Sequence, residues 1–134
     1  MWLMKQLNIE STKTMNIMVG MAEDGYVKIN NSDGSFMSVI LEVILEDERI
    51  KIISLAHYYL QEGDLMADPE MCFIYNKGQE VYWPSYFKQD SIGIEEESIE
   101  IQNGKIKRVN LMMQKEHTIF ANMWLKNIKH QQNL

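Results

Sequence analysis

Apolar Met15, Met18, Val19 and Ala22 recur at helical spacing, so an amphipathic helix is predicted from Ser11, as N-cap, to Ala22, with Asp24-Gly25 as its stop. Beyond it the apolar period shortens to that of strands. Tyr26 to Ile29 reads as a short strand, and Asn30-Asn31-Ser32-Asp33-Gly34 as a turn. Ser38 to Leu45 and Arg49 to Leu60, joined by Glu46-Asp47-Glu48, form a predicted antiparallel hairpin whose apolar face is Val39, Leu41, Val43 and Leu45. The β signal weakens over Ala56 to Leu60, where helix is an alternative. Gly63-Asp64 and Asp68-Pro69 are two closely spaced turn signals, so Gly63 to Met71 reads as an ordered loop. Met71 to Tyr75 and Val81 to Trp83 follow as strands, the second ended by Pro84.

Asn103-Gly104 between Ser98 to Gln102 and Lys105 to Met112 is a strong hairpin signal. A two-residue turn there sets Ile101 opposite Ile106 and Glu100 opposite Lys107. The last predicted element is a helix over Glu116 to His130, with Ile119, Phe120, Met123, Trp124 and Ile128 on one face. Helix, antiparallel strands and helix make an α+β fold, with five or six strands covered on one face by the terminal helices. A length of 134 residues suits one domain over 1–134, with the order of residues 1–10 left open.

Composition narrows the partners. A net charge of -6 repels phosphate backbones, so nucleic acid is not an expected partner and a basic protein is. No apolar run approaches the roughly 20 residues of a membrane span, and MWLMKQLNIESTK has no signal-like apolar core, so a cytoplasmic location without membrane contact is expected. The single cysteine, Cys72, lies in apolar MCFIY and reads as a buried thiol without a catalytic role.

His57, Asp64, Asp68 and Glu70 are residue types that bind divalent cations, but their spacing matches no metal signature, and no metal or cofactor is expected. His57 with Glu62 or Asp64 has the makings of an acid-base pair without a matched nucleophile. Trp83-Pro84-Ser85-Tyr86-Phe87 is an aromatic cluster of the kind that anchors protein interfaces. The candidate binding residues are therefore His57, Gln61, Gly63, Asp64, Asp68, Glu70, Trp83, Tyr86 and Asp90.

The stretch HYYLQEGDLMADPEM, His57 to Met71, resembles the HYYxQNGDLMxDPEM-like signature of an uncharacterised bacterial family found mainly on plasmids, phages and conjugative elements. Pro84-x-x-Phe87-x-x-Asp90-x-x-Gly93 and Phe120-Ala121-x-x-Trp124-Leu125-x-Asn127 are similar to its downstream segments. Glu62 stands where that family usually has Asn. The resemblance implies a mobile-element setting and no particular chemistry. Two functions of different class are expected to compete. One is a non-enzymatic accessory or regulatory protein that binds a protein partner, including an acidic inhibitor of a host defence nuclease. The other is a small metal-dependent enzyme built on His57, Asp64, Asp68 and Glu70.

Overall fold

A computed structural model describes residues 3–134. Among them are two α-helices, α1 (Ile9–Met21) and α2 (Leu111–Gln131), one turn of 3-10 helix (Asp90–Ile92) and eight strands. Strands β1 (Tyr26–Ile29), β2 (Val39–Glu46), β3 (Ile50–Gln61), β4 (Asp64–Asn76), β5 (Val81–Gln89) and β6 (Ile94–Glu97) form an antiparallel sheet in chain order. Strands β7 (Ile99–Gln102) and β8 (Lys105–Val109) pair separately as a hairpin. The fold is α+β, as the sequence predicts.

Both helices cover one face of the sheet. Met15 and Met18 of α1 and Ala121, Trp124, Leu125 and Ile128 of α2 are buried in one cluster with Leu41, Ile53, Leu55, Met71 and Phe73 of the strands. The β7–β8 hairpin lies against part of the opposite face, where Ile99 joins Ile50 and Ile74, flanked by Ile52, Trp83, Ile101 and Ile106. Of the first ten residues, 1 and 2 lie outside the described residues, while Leu7 is in the core and its N–H donates to the Tyr82 carbonyl at 3.0 Å.

Several local expectations change, each for a physical reason. The N-cap of α1 is Asn8, whose side chain accepts from the Ser11 N–H, so Ser11 lies inside the helix. Residues 64–71 are strand: Glu62 and Gly63, at φ 52° and 87°, form the two-residue turn. Asp68-Pro69 is a bulge in β4 opposite His57, which is how a proline without an N–H is tolerated inside a paired strand. Pro84 likewise does not end β5, because the register slips at Ser85, whose hydroxyl donates to the Cys72 carbonyl at 3.2 Å. A shift between Val43 and Leu45 sets Leu45 opposite Ile52, so the apolar face predicted through Leu45 is broken after Val43. Ile101 does pair with Ile106, but a bulge places Arg108 opposite Glu100; Lys107 and Arg108 each reach Glu100 at 3.6 Å.

The largest departure concerns α2. Ile119 and Met123, expected on its buried face, are 62% and 54% exposed, while Gln114, His117 and Thr118 are buried. Each of these three buried polar side chains has a partner. Gln114 accepts from the Lys5 N–H (2.7 Å) and donates to the Lys5 and Pro84 carbonyls (2.8 and 3.1 Å). Near the other end, the buried Gln132 accepts from the Asn31 N–H (2.7 Å) and donates to the Met37 carbonyl (3.0 Å).

The turn at Glu62 carries a testable consequence. Its positive φ suits Asn better than Glu, because Asn adopts left-handed backbone at lower cost. Glu62→Asn is expected to stabilise the fold by about 0.5 kcal/mol, read as a higher urea midpoint at unchanged slope. A lower midpoint would show that the Glu62 side chain, not its backbone, matters most there.

Candidate functional site

The sheet face away from the helices is only partly covered, and pairing sets out what it presents. One transverse row reads Tyr26, Glu42, Ser54, Cys72, Tyr86, Glu97 across β1 to β6. The next reads Lys28, Ile40, Ala56, Glu70, Lys88, Glu95. A third, Leu45, Ile52, Ile74 and Trp83, is apolar and lies against the β7–β8 hairpin. Side chains alternate faces along each strand, so aligned registers put polar groups from every strand on one surface.

Hydrogen bonds link the two polar rows. Ser54 Oγ donates to Glu70 Oε2 at 2.6 Å, and Tyr86 OH donates to Glu95 Oε2. Glu42 and Glu97 are exposed at either side of the face, and neither forms an ion pair among the described residues. Burial pushes the Cys72 thiol up to about 12, and the neighbouring Glu70 carboxylate acts in the same direction. Burial also raises Tyr58 and Tyr86, the second further through its hydrogen bond to Glu95. At neutral pH these groups are protonated donors. The sequence reads Cys72 as buried; it is half-buried on this face instead, and as a protonated thiol it is a poor nucleophile.

Beyond this face β3 and β4 continue as an arm. Pairing with β2 ends at Ile40↔Ala56 and with β5 at Glu70↔Lys88, while β3 and β4 stay paired from Tyr58↔Ala67 to Gln61↔Asp64. Leu60 and Leu65 oppose each other near its tip and are 72% and 62% exposed. The arm is braced at its base: Asp90 Oδ2 accepts from the Ala67 N–H at 2.7 Å, and Asp68 Oδ1 accepts from Gln89 Nε2 at 2.9 Å and Ser91 Oγ at 3.3 Å.

The nine residues singled out from sequence are thereby dispersed. Glu70 and Tyr86 lie on the polar face, and Gln61, Gly63 and Asp64 at the tip of the arm. Asp68 and Asp90 are clasped at its base. Trp83 packs with the β7–β8 hairpin. His57 is buried, its Nδ1 3.0 Å from the Ser38 carbonyl and its ring edge-on to Trp124 at 5.5 Å. His57, Asp64, Asp68 and Glu70 do not converge, and among the described residues no three His, Cys, Asp or Glu side chains form a metal-binding group.

Sequence reasoning missed Glu42, Ser54, Glu95 and Glu97 as members of the face, and Tyr58 beside Ser54 and Glu70. Their signal was the polar position recurring at every second residue of paired strands, visible only once the registers are known. It also missed His117, whose Nδ1 lies 2.9 Å from Ser98 Oγ and whose Nε2 lies 3.1 Å from Glu96 Oε1, with its ring stacked on Phe87 at 5.9 Å. This histidine, serine and glutamate line up as in a hydrolase, but Ser98 is 1% exposed, so the chain of bonds ties α2 to the sheet and offers no nucleophile to a substrate.

Among the described residues no helix is long and apolar enough to cross a membrane. No curated protein and no solved structure matches the chain. Residues 7–134 match the family described as a domain of unknown function, DUF6908, and the chain belongs to that family.

Proposed function

We propose that this domain is a non-enzymatic accessory or regulatory protein that binds a basic protein partner through the open sheet face and the β3–β4 arm. The observation that carries the reading is an exposed apolar pair, Leu60 and Leu65, on an arm that extends from a face bearing the unpaired carboxylates Glu42 and Glu97. Apolar contact supplies affinity and complementary charge supplies orientation and speed of encounter. The net charge of -6 favours a partner of opposite sign. The resemblance of residues 57–71 to a plasmid- and phage-borne family supports a mobile element as the setting. An acidic inhibitor of a host defence nuclease is the version of this reading in which the partner offers a basic groove.

The test is capture of partners from a bacterial lysate by wild type, by Leu60→Ser/Leu65→Ser and by Glu42→Gln/Glu97→Gln, with thermal midpoints measured alongside. All four side chains are exposed, so both variants should stay within about 0.5 kcal/mol of wild type in stability. The expected result is a protein retained by wild type, lost with the leucine variant, and held by the glutamine variant only at low salt. Screening shortens the reach of charge from about 10 Å at 0.1 M salt to about 3 Å at 1 M. Retention of every partner by both stable variants would place the binding surface elsewhere and sink the reading.

A further inference from the structure

The first turn of α1 and the C-terminal half of α2 enclose a cavity of about 320 Å³. Its lining includes Ser11, Asn122, Lys126, Lys129, His130 and Glu10. In a chain of net charge -6, two lysines against one glutamate make this a locally cationic place. It also lies at the positive end of the α1 dipole, where anions are favoured.

Ser11 supplies an independent pointer. Its residue is 4% exposed, yet its Oγ makes no hydrogen bond among the described residues; only its backbone N–H is engaged, by the Asn8 side chain at 2.8 Å. No sealed side-chain oxygen or nitrogen lacks a partner among the described residues, so this hydroxyl opens onto the cavity that Ser11 lines. Asn122 is oriented by the Asn8 N–H, which donates to its Oδ1 at 3.1 Å, leaving the amide Nδ2 to donate. Glu10 reaches Lys129 and Lys13, both at 3.7 Å, and is the internal counter-ion of the cluster.

We infer that this cavity binds the phosphate group of a small phosphomonoester, with Ser11 and Asn122 as hydrogen-bond donors and Lys126 and Lys129 as neutralising charges. Glu10 is the carboxylate that the ligand displaces from Lys129. A phosphate fits better than a carboxylate because its three terminal oxygens and near-double charge match donors from two helices and two ammonium groups. The volume is at the lower end of the ~300–1,000 Å³ of small-molecule sites, room for a phosphate on a short carbon skeleton.

The experiment is a ¹H–¹⁵N NMR titration of the full chain at fixed ionic strength with inorganic phosphate, with glycerol 3-phosphate, with a phosphoserine peptide and with chloride as control. Saturable shifts at Ser11, Asn122 and Lys129 with the first two probes are expected. Ser11→Ala and Lys126→Gln/Lys129→Gln should each weaken binding about tenfold, and Glu10→Gln should tighten it several-fold. The lysines and Glu10 are exposed, so those variants keep the fold, verified by thermal midpoint, even where Ser11→Ala does not. Shifts that track ionic strength alone, or that are equal in all variants, would overturn the site. Tighter binding of the phosphoserine peptide than of glycerol 3-phosphate would overturn the small-molecule assignment.

Discussion

Gln114→Ala is expected to destabilise the domain by about 3–5 kcal/mol, much of the 5–15 kcal/mol that holds a typical domain folded. Gln114 is fully buried, and its amide stands in for a neighbouring strand: Oε1 takes the Lys5 N–H, and Nε2 donates to the Lys5 and Pro84 carbonyls. Truncation leaves one donor and two acceptors without these partners and opens a cavity between α2 and the N-terminal segment. A further substitution and hydrogen exchange separate the causes. Gln114→Met keeps the length and removes the hydrogen bonds, so it should lose most of the same stability if bonding dominates. In hydrogen exchange, the Lys5 amide should open before the β3 and β4 amides. A methionine variant within 0.5 kcal/mol of wild type would show that the amide contributes only volume.

The same residue shows where sequence reading fails. Gln114 lies ahead of the helix predicted from Glu116, whereas α2 begins at Leu111, and nothing in the sequence marks it for burial, because the apolar stripe through Ile119 and Met123 is stronger than one through Gln114, His117 and Thr118. The buried stripe is the one whose polar members find partners on the flanking segments, which a one-dimensional pattern does not contain. The Asn103-Gly104 hairpin was legible because its turn chemistry is local, although the bulge at Lys107 was not. His57 drew attention as a titratable group beside acids, yet alternation along β3 sends it to the helix side and Glu70, which directly follows its opposing bulge, to the other. The polar face could be assembled only from registers, since its members come from six strands spread over residues 26–97.

Replacing His117 by Ala is expected to cost about 3 kcal/mol and to loosen the β7–β8 hairpin more than the main sheet. The imidazole is buried between Ser98 and Glu96 and stacks on Phe87, so its loss removes two hydrogen bonds and an aromatic contact at once. Ser98 multiplies the effect. Its N–H donates to the Ser85 carbonyl at 2.8 Å and its carbonyl accepts from the Asn110 N–H at 2.8 Å, so one residue joins β5, the start of the hairpin and the N-cap of α2. Freeing the Ser98 side chain therefore loosens the point at which the chain leaves the main sheet and the hairpin begins. A double-mutant cycle with Ser98→Ala should give a coupling of about 1 kcal/mol, because either change alone strands the other group. Hairpin amides should exchange faster in both single variants. Additive effects, with the hairpin as protected as in wild type, would mean that α2 is held by its apolar side chains alone, and that Glu96, His117 and Ser98 merely meet.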